Sequence, residues 1–476
     1  MSDASPTDAR IVVIGGGVAG LAAAHRLREL AAERGTSLRV TLLEAAPRVG
    51  GTIASERVDG FLVESGADSF LTEKPWALAL CRRIGIEDRL IATRDGDRRT
   101  FVVHAGRLHP LPEGFLLLAP TRLAPLVRSS LFSWPGKLRM ALDLVLPRAA
   151  SGADESLAAF VTRRLGREAL ERVAQPLVGG IYTADAARLS VAATMPRFLE
   201  MERRHRSLIL AMRRQGRVAA KPGSGARWSL FVSFAEGMET LVQALAQRLP
   251  EGAIRLGARV VGVRPRAAHD FEVTLADGER LRARGVIVAT PAYTAAELVR
   301  PFAAGLATEL AAIPYASSAT VTLGYARGDV PHPLDGFGFV VPAIEGRRLI
   351  ACSFSSVKYA GRAPEGAALL RVFCGGALAT AMAERSDAEL VDAARDELGA
   401  LLGIVAPPRL VRVHRHARAM PQYEVGHLAR MATIDAAVAR HPGLGLAGNA
   451  YRGVGVPDCV HGGEEAAERV LAGAPV

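Results

Sequence analysis

The run Ile11-Val12-Val13-Ile14-Gly15-Gly16-Gly17-Val18-Ala19-Gly20 constrains this chain more than any other stretch: an apolar strand ends in glycines spaced Gly-x-Gly-x-x-Gly and passes straight into a helical pattern. Gly15 permits the tight turn, Gly17 lets the backbone approach a diphosphate, and Gly20 allows the helix to pack closely on the strand. The helix, expected from Val18 to about Arg34, starts with unpaired N–H groups that face phosphate. A second strand, Leu38 to Glu44, completes a strand–helix–strand unit, and Glu44 stands where an acid accepts hydrogen bonds from ribose hydroxyls. That carboxylate disfavours a 2′-phosphate and hence NADP. The glycines alone establish a dinucleotide site without choosing the dinucleotide.

The continuation Glu44-Ala45-Ala46-Pro47-Arg48-Val49-Gly50-Gly51-Thr52 points to FAD. An acid, three residues, an arginine and paired glycines supply a cation and exposed amides for the pyrophosphate beside the first loop. This pattern resembles the flavin-containing amine oxidoreductases, a group that includes monoamine oxidases, phytoene desaturases and porphyrinogen oxidases. Near the other end, Gly448-Asn449-Ala450-Tyr451-Arg452-Gly453-Val454-Gly455-Val456-Pro457-Asp458 offers the matching half. Its glycines let backbone pass close to a flavin, and the helix that follows from about Asp458 aims its positive end at N1 and O2, where reduction builds negative charge.

Composition narrows what else the chain can be. With 476 residues, 49% hydrophobic and 22% charged, it exceeds a single core and calls for two or three packed units. Cys81, Cys352, Cys374 and Cys459 lie far apart with no CxxC pair, which argues against zinc and a disulfide framework and fits a reducing cytoplasm. No metal site is expected. No uninterrupted apolar stretch reaches the roughly 20 residues of a spanning helix, and the first residues, Met1 to Asp8, lack the pattern of a secretory signal. The formal charge of +11 comes from dispersed arginines with no nucleic-acid motif, so no nucleic-acid partner is expected.

Along the chain, Pro110, Pro112, Pro120, Pro125 and Pro135 punctuate a stretch too rich in proline for regular strands. A helical pattern runs from Glu155 to about Arg214, and Lys221-Pro222-Gly223-Ser224-Gly225 reads as a loop between units. Met238 to Leu249 is helical in period. Strands are expected at Arg259–Val263, Phe271–Leu275, with a turn at Ala276-Asp277-Gly278, and Val286–Thr290, and several more between residues 315 and 375. The expectation is a mixed α/β fold: a Rossmann-like FAD-binding domain of the amine-oxidase type with an inserted substrate domain and a helical subdomain. The FAD-binding domain is drawn from 1–75, 225–300 and 430–476, the substrate-binding domain from 76–95, 210–224 and 301–429, and the helical subdomain, with a membrane-facing role left open, from 96–209.

Several further segments, in order, are similar to the protoporphyrinogen and coproporphyrinogen oxidases of the bacterial branch: Glu64-Ser65-Gly66-Ala67-Asp68-Ser69-Phe70-Leu71, Gly180-Ile181-Tyr182-Thr183-Ala184-Asp185, His205 to Leu210, Met420-Pro421-Gln422-Tyr423-Glu424-Val425-Gly426-His427, and Gly453 to Cys459. The resemblance implies six-electron oxidation of a flexible porphyrinogen to an aromatic porphyrin in three flavin-mediated steps. Hydride leaves a meso carbon for flavin N5, and dioxygen reoxidises the flavin to give hydrogen peroxide. Pyrrole tautomerism can relay the lost protons, so no general base is demanded, and no catalytic side chain is assigned.

The FAD site is assigned to Gly15, Gly16, Gly17, Val18, Ala19 and Gly20; to Glu44, Ala45, Arg48, Gly50, Gly51 and Thr52; to Gly66, Ala67, Asp68 and Ser69; to Val260, Val261 and Ala289; and to Gly448, Asn449, Gly453, Val454, Gly455 and Val456. The substrate carries propionates, so an apolar pocket needs a cation. Family position gives Lys74 that role, against the alternative of a solvated loop lysine. Gly180, Ile181 and Phe339 are candidate pocket walls, and core packing is the alternative reading. His205 and Tyr423 read as structural, Cys459 as a buried small residue.

Coproporphyrinogen III is the favoured substrate and protoporphyrinogen IX the alternative; amine oxidation and non-catalytic binding of flavin or tetrapyrrole are the more distant readings. Tetrapyrrole and dioxygen are the expected partners. Transfer of product to a ferrochelatase and peripheral contact with the inner face of a membrane, through Phe115 to Arg128, stay open, as does the oligomeric state.

Overall fold

The strand–glycine turn–helix unit forms as Ala9–Ile14, Val18–Arg34 and Leu38–Leu43. The computed structural model describes residues 9–94, 99–116, 119–120, 122–149, 152–219 and 229–473, so Met1 to Asp8 and the glycine-rich break Lys221 to Gly225 lie outside the described residues. Strands Ile254–Arg255, Leu38–Leu43, Ala9–Ile14, Gly285–Val288 and Leu444–Leu446 lie in that order in one parallel sheet. Its strands read as near-continuous apolar runs because both faces are covered. Helices Val18–Arg34 and Val456–Gly473 pack together on one face, and helices Ala292–Val299 and Ala304–Ala311 with the meander Val260–Ala267, Asp270–Leu275 and Arg280–Ala283 belong to the core on the other. The expected turn at Ala276-Asp277-Gly278 joins the last two strands of that meander.

A second sheet of seven strands runs Leu410–Pro421, Tyr315–Ala326, Ala367–Gly375, Ala351–Phe354, Gly338–Val340, Thr100–His104, Arg107–Pro110. Every pairing is antiparallel except Gly338–Val340 with Thr100–His104. Its two faces differ in chemistry by simple alternation. Ala319, Val321, Leu323, Leu370, Val372 and Cys374 meet helix Asp387–Leu402 in one apolar core. Thr320, Thr322, Arg371 and Phe373 take the opposite face, towards the segment Glu64–Ser69 and the helices.

Three boundaries differ from the sequence expectation. Residues 76–95, expected with the substrate sheet, pack into the cofactor core through Ala77, Leu80, Cys81, Ile84 and Leu90, and Leu90–Ala92 pairs with Phe231–Phe234. The strands Thr100–His104 and Arg107–Pro110, expected in the helical unit, close the edge of the seven-stranded sheet. Helix Leu208–Ala219 joins the helical core through Leu208, Ala211 and Met212. The proline-rich stretch therefore does hold strands: Pro110 ends an edge strand and Pro120 sits in the two-residue strand Ala119–Pro120, places where a missing N–H costs no ladder bond.

Candidate functional site: two loops, a carboxylate and the polar face of a sheet

The first loop is shaped by contacts that only glycine permits. Gly15 has φ +107°, and a Cβ there would lie 2.7 Å from the Ala289 carbonyl oxygen; a Cβ on Gly20 would lie 1.9 Å from that of Gly15. Gly17 differs: nothing lies within 4 Å of its Cβ position, and it starts helix Val18–Arg34 with no side-chain cap. Space is thus open beside Gly17 at the helix start, where first-turn N–H groups have no partner within the helix, as a phosphate site requires. Gly50 N–H donates to the Gly16 carbonyl at 2.8 Å, laying the second glycine pair beside the first.

Glu44 accepts from Gly16 N–H at 2.6 Å and from Ala46 N–H at 2.7 Å. Each oxygen keeps acceptor capacity, so the fixed carboxylate can still take a hydroxyl. Ala45, exposed, and Thr52 flank these groups, and Ala289 N–H donates to Ile14 at 2.8 Å. Val260 packs on the core of the meander, whereas Val261 is 56% exposed. Arg48 is tied into its own loop. Its guanidinium donates to the carbonyls of Val49 and Ile53 at 3.0 Å and of Gly51 at 2.7 Å. It braces the glycine loop by hydrogen bonds while leaving its charge exposed beside it.

Segment Glu64–Ser69 packs onto the same loop: a Cβ on Gly66 would lie 2.2 Å from the Thr52 carbonyl oxygen, and Ser65 Oγ donates to that oxygen at 2.9 Å. Ala67 packs against the cofactor core. Asp68 pairs with Lys358, 3.1 Å from both oxygens, and accepts from Ser69 at 2.7 Å. Burial pushes the Asp68 carboxyl up, but the charges of Lys358 and Arg371 and the Ser69 hydroxyl outweigh it and hold it at about 2. From the sheet above, Arg371 and His416 both donate to the Ser65 carbonyl, at 2.8 and 2.9 Å. Arg371, Thr322, Tyr359, Arg362, Glu64 and Asp68 line a small pocket under the sheet. Arg371, Lys358 and His416 were missed in the sequence; the available signal was a charge inside the apolar run Leu369-Leu370-Arg371-Val372-Phe373.

At the C-terminal loop, Gly448 and Gly453 both have positive φ, +128° and +141°. Helix Val456–Gly473 begins two residues earlier than expected, so Asp458 sits inside its first turn. There it accepts from Gly455 N–H at 3.2 Å and holds the Lys74 ammonium at 2.6 and 2.7 Å. Lys74 is thus no free cation, although its side chain stays 41% exposed. Cys459 is buried, and burial pushes its thiol up to about 12.

Among the wall candidates, Gly180 and Ile181 lie in the last turn of helix Gln175–Tyr182; Ile181 is 45% exposed, and a Cβ on Gly180 would sit 3.7 Å from Val340 Cγ1. Phe339 is a correction. Its ring is 1% exposed in the core beneath the sheet, edge-on to Phe354 at 6.1 Å. One step along a strand flips the side chain, so Val340, with Phe373 two strands away, takes the face towards Gly180.

The profile of the flavin-containing amine oxidoreductases matches residues 18–471. A coproporphyrinogen III oxidase of Bacillus subtilis (strain 168) is 35% identical over 97% of both chains. The chain belongs to the flavin-containing amine oxidoreductase family, in its coproporphyrinogen and protoporphyrinogen oxidase branch. A protoporphyrinogen oxidase of Homo sapiens is 31% identical over 98% of this oxidase and 99% of its own length. A crystal structure from Exiguobacterium sp. 255-15 shares the whole fold, with a TM-score of 0.86 at 30% identity, covering 98% of this oxidase and 99% of that chain. The oxidase is an FAD-dependent flavoprotein, and the open Gly17 cradle, the uncapped helix start and the fixed Glu44 fit that cofactor. Among the described residues no helix is long and apolar enough to cross a membrane, and no cluster of three metal-ligating side chains occurs.

Proposed function

We propose that this oxidase converts coproporphyrinogen III to coproporphyrin III. Six electrons and their protons leave the substrate in three two-electron steps, and three dioxygen molecules take them up as three hydrogen peroxides. The supporting observation is a likeness to bacterial coproporphyrinogen III oxidases that spans both chains end to end. Bound FAD supplies the hydride acceptor and the route to dioxygen. The chain's part is to hold the cofactor and to orient and shield the macrocycle. In this reading, Gly17 and Gly51 offer backbone amides to the pyrophosphate, with the Arg48 charge beside them, Gly50 ties the two glycine loops together, and Glu44 takes the ribose. Gly180, Ile181 and Val340 form an apolar wall, and Lys74 binds a propionate in competition with Asp458.

The deciding experiment follows porphyrin fluorescence and peroxide under air with each porphyrinogen in turn. Faster turnover of coproporphyrinogen III supports the reading; faster turnover of protoporphyrinogen IX replaces it with the alternative substrate. No rate above the spontaneous oxidation with either would sink the assignment altogether.

We also propose peripheral docking on an anionic membrane. Of the expected segment, Phe115 and Leu126 are buried in the helical core, whereas Val127 is 48% exposed. Immediately after that segment, Trp134, Leu138, Leu142 and Val145 are all exposed, spaced so as to line one face of helix Trp134–Ala141 and the turn beyond. Lys137 lies 4.7 Å over the Trp134 ring, and Arg128 stands nearby in sequence, which suits anionic headgroups. Binding to acidic but not neutral vesicles that Trp134→Ser with Leu138→Ser abolishes is the expected result; no binding at low salt would end the idea.

A further inference from the structure

Tyr423 follows the last strand of the seven-stranded sheet, in Pro421-Gln422-Tyr423, and its side chain is 2% exposed. Its hydroxyl donates to the Asn449 carbonyl at 2.6 Å and accepts from Gly453 N–H at 2.8 Å. One phenol thus bridges both ends of the Gly448–Gly453 loop, the half of the site read as facing the flavin ring. Burial raises the phenol well above its usual range, so the proton it donates stays in place. The ring stacks on His427, with centroids 4.0 Å apart and planes 10° off parallel, and His427 Nε2 donates to the Tyr451 carbonyl at 2.9 Å. Asn449 Nδ2 returns a bond to Ala419 at 3.2 Å. Four hydrogen bonds therefore tie residues 419–427 to a loop whose two flanking glycines have positive φ and whose shape no regular ladder fixes.

The same segment holds the helical subdomain. Gln422 Nε2 donates to the Tyr182 carbonyl at 3.1 Å, Ser190 N–H donates to the Tyr423 carbonyl at 2.8 Å, and Val425 N–H donates to Arg188 at 2.9 Å. Tyr182 ends the helix that carries Gly180 and Ile181. Residues 419–427 are where the substrate sheet, the proposed pocket wall and the C-terminal loop meet.

We infer that Tyr423 is a positioning residue for the flavin: its hydroxyl sets the place of the Gly448–Gly455 backbone against the ring, and through Gln422 it links that backbone to the helix bearing Gly180. The inference rests on the reading of that loop as flavin-facing and requires no particular porphyrinogen. The test is Tyr423→Phe, which keeps the stack on His427 and deletes only the hydroxyl. In the FAD-loaded protein, the FAD dissociation constant should rise about tenfold, the effect of losing a net hydrogen bond. The visible band of the bound flavin should shift, and turnover should fall with the half-saturating porphyrinogen level unchanged. His427→Phe, which keeps a stacked ring and removes the bond to Tyr451, should shift the same band if Tyr423→Phe does not fold. A variant of lowered melting temperature with wild-type FAD affinity and spectrum would overturn the inference, as would unchanged behaviour in every readout. Because affinity and spectrum are read without substrate, they decide the point even if the substrate assignment fails.

Discussion

Lys74 and Asp458, 384 residues apart in sequence, form a two-oxygen ion pair at 2.6 and 2.7 Å between the N-cap of helix Pro75–Arg83 and the first turn of helix Val456–Gly473. A propionate that reaches Lys74 meets a cation already partnered. Lys74→Ala should raise the half-saturating porphyrinogen level about tenfold, equivalent to about 1.4 kcal/mol, with a smaller change in turnover. Asp458→Asn should lower it, because the competing carboxylate is gone. Steady-state kinetics on both variants check this, and a Lys74→Ala enzyme with wild-type constants would return the pair to a purely structural role.

Gly17 and Gly20 should separate cofactor binding from folding. A methyl at Gly17 meets nothing within 4 Å, whereas one at Gly20 meets backbone oxygen at 1.9 Å. Gly17→Ala should leave the melting temperature of the FAD-free protein unchanged and weaken FAD binding at least tenfold. Gly20→Ala should cost about 1–3 kcal/mol of stability before any cofactor is added. Calorimetry of the two FAD-free variants, followed by FAD titration, would show whether the contrast holds.

Asp68 should make stability fall with acid. Its folded carboxyl is held at about 2, below the ordinary value near 3.8. The group is depressed on folding, so its contribution is fully present above about pH 4 and is lost as pH falls towards 2. The size is about 2 kcal/mol, from a pKa difference of nearly two at about 1.4 kcal/mol each. Urea unfolding at stepped pH should show this slope in the wild type and not in Asp68→Asn; equal slopes would contradict it.

Arg164 and Asp143 are fully buried together in the helical subdomain. Arg164 Nε donates to Asp143 Oδ1 at 2.7 Å and its other nitrogens donate to the carbonyls of Pro147, Asp143 and Arg206, while Asp143 also accepts from Ser207 Oγ and Ile209 N–H. Removing one partner strands a charge without water. Arg164→Met should cost about 3–5 kcal/mol, seen as a lower denaturation midpoint, with the visible spectrum of any FAD still bound unaltered. A loss under 1 kcal/mol would mean that Asp143 finds another partner.

The cofactor half of the molecule was legible because its signals are local. A glycine whose Cβ would strike the next turn's carbonyl, as at Gly20, and an acid at the end of a strand, as at Glu44, are fixed by neighbours a few dozen residues away at most. The substrate half was less legible. The sequence shows that Phe339 lies in a strand but not which face is the core, and one residue of phase moves it from a pocket wall to the opposite side. Arg48 carried the right charge in the right loop, yet its hydrogen bonds to Val49, Gly51 and Ile53 depend on the loop's final curvature.

By itself, the sequence determined the parallel nucleotide-binding sheet, its glycine loop and the FAD chemistry, because strand–turn–helix geometry leaves few residue choices at each step. Tertiary structure alone decided that Asp458 holds Lys74, that Arg371 and His416 reach down to Ser65, and that Tyr423 bridges Asn449 and Gly453. Each of those contacts joins separate stretches of chain by a polar group that has to find a partner once water is excluded. Which partner it finds is set by how the sheets and helices pack, not by the pattern along the chain.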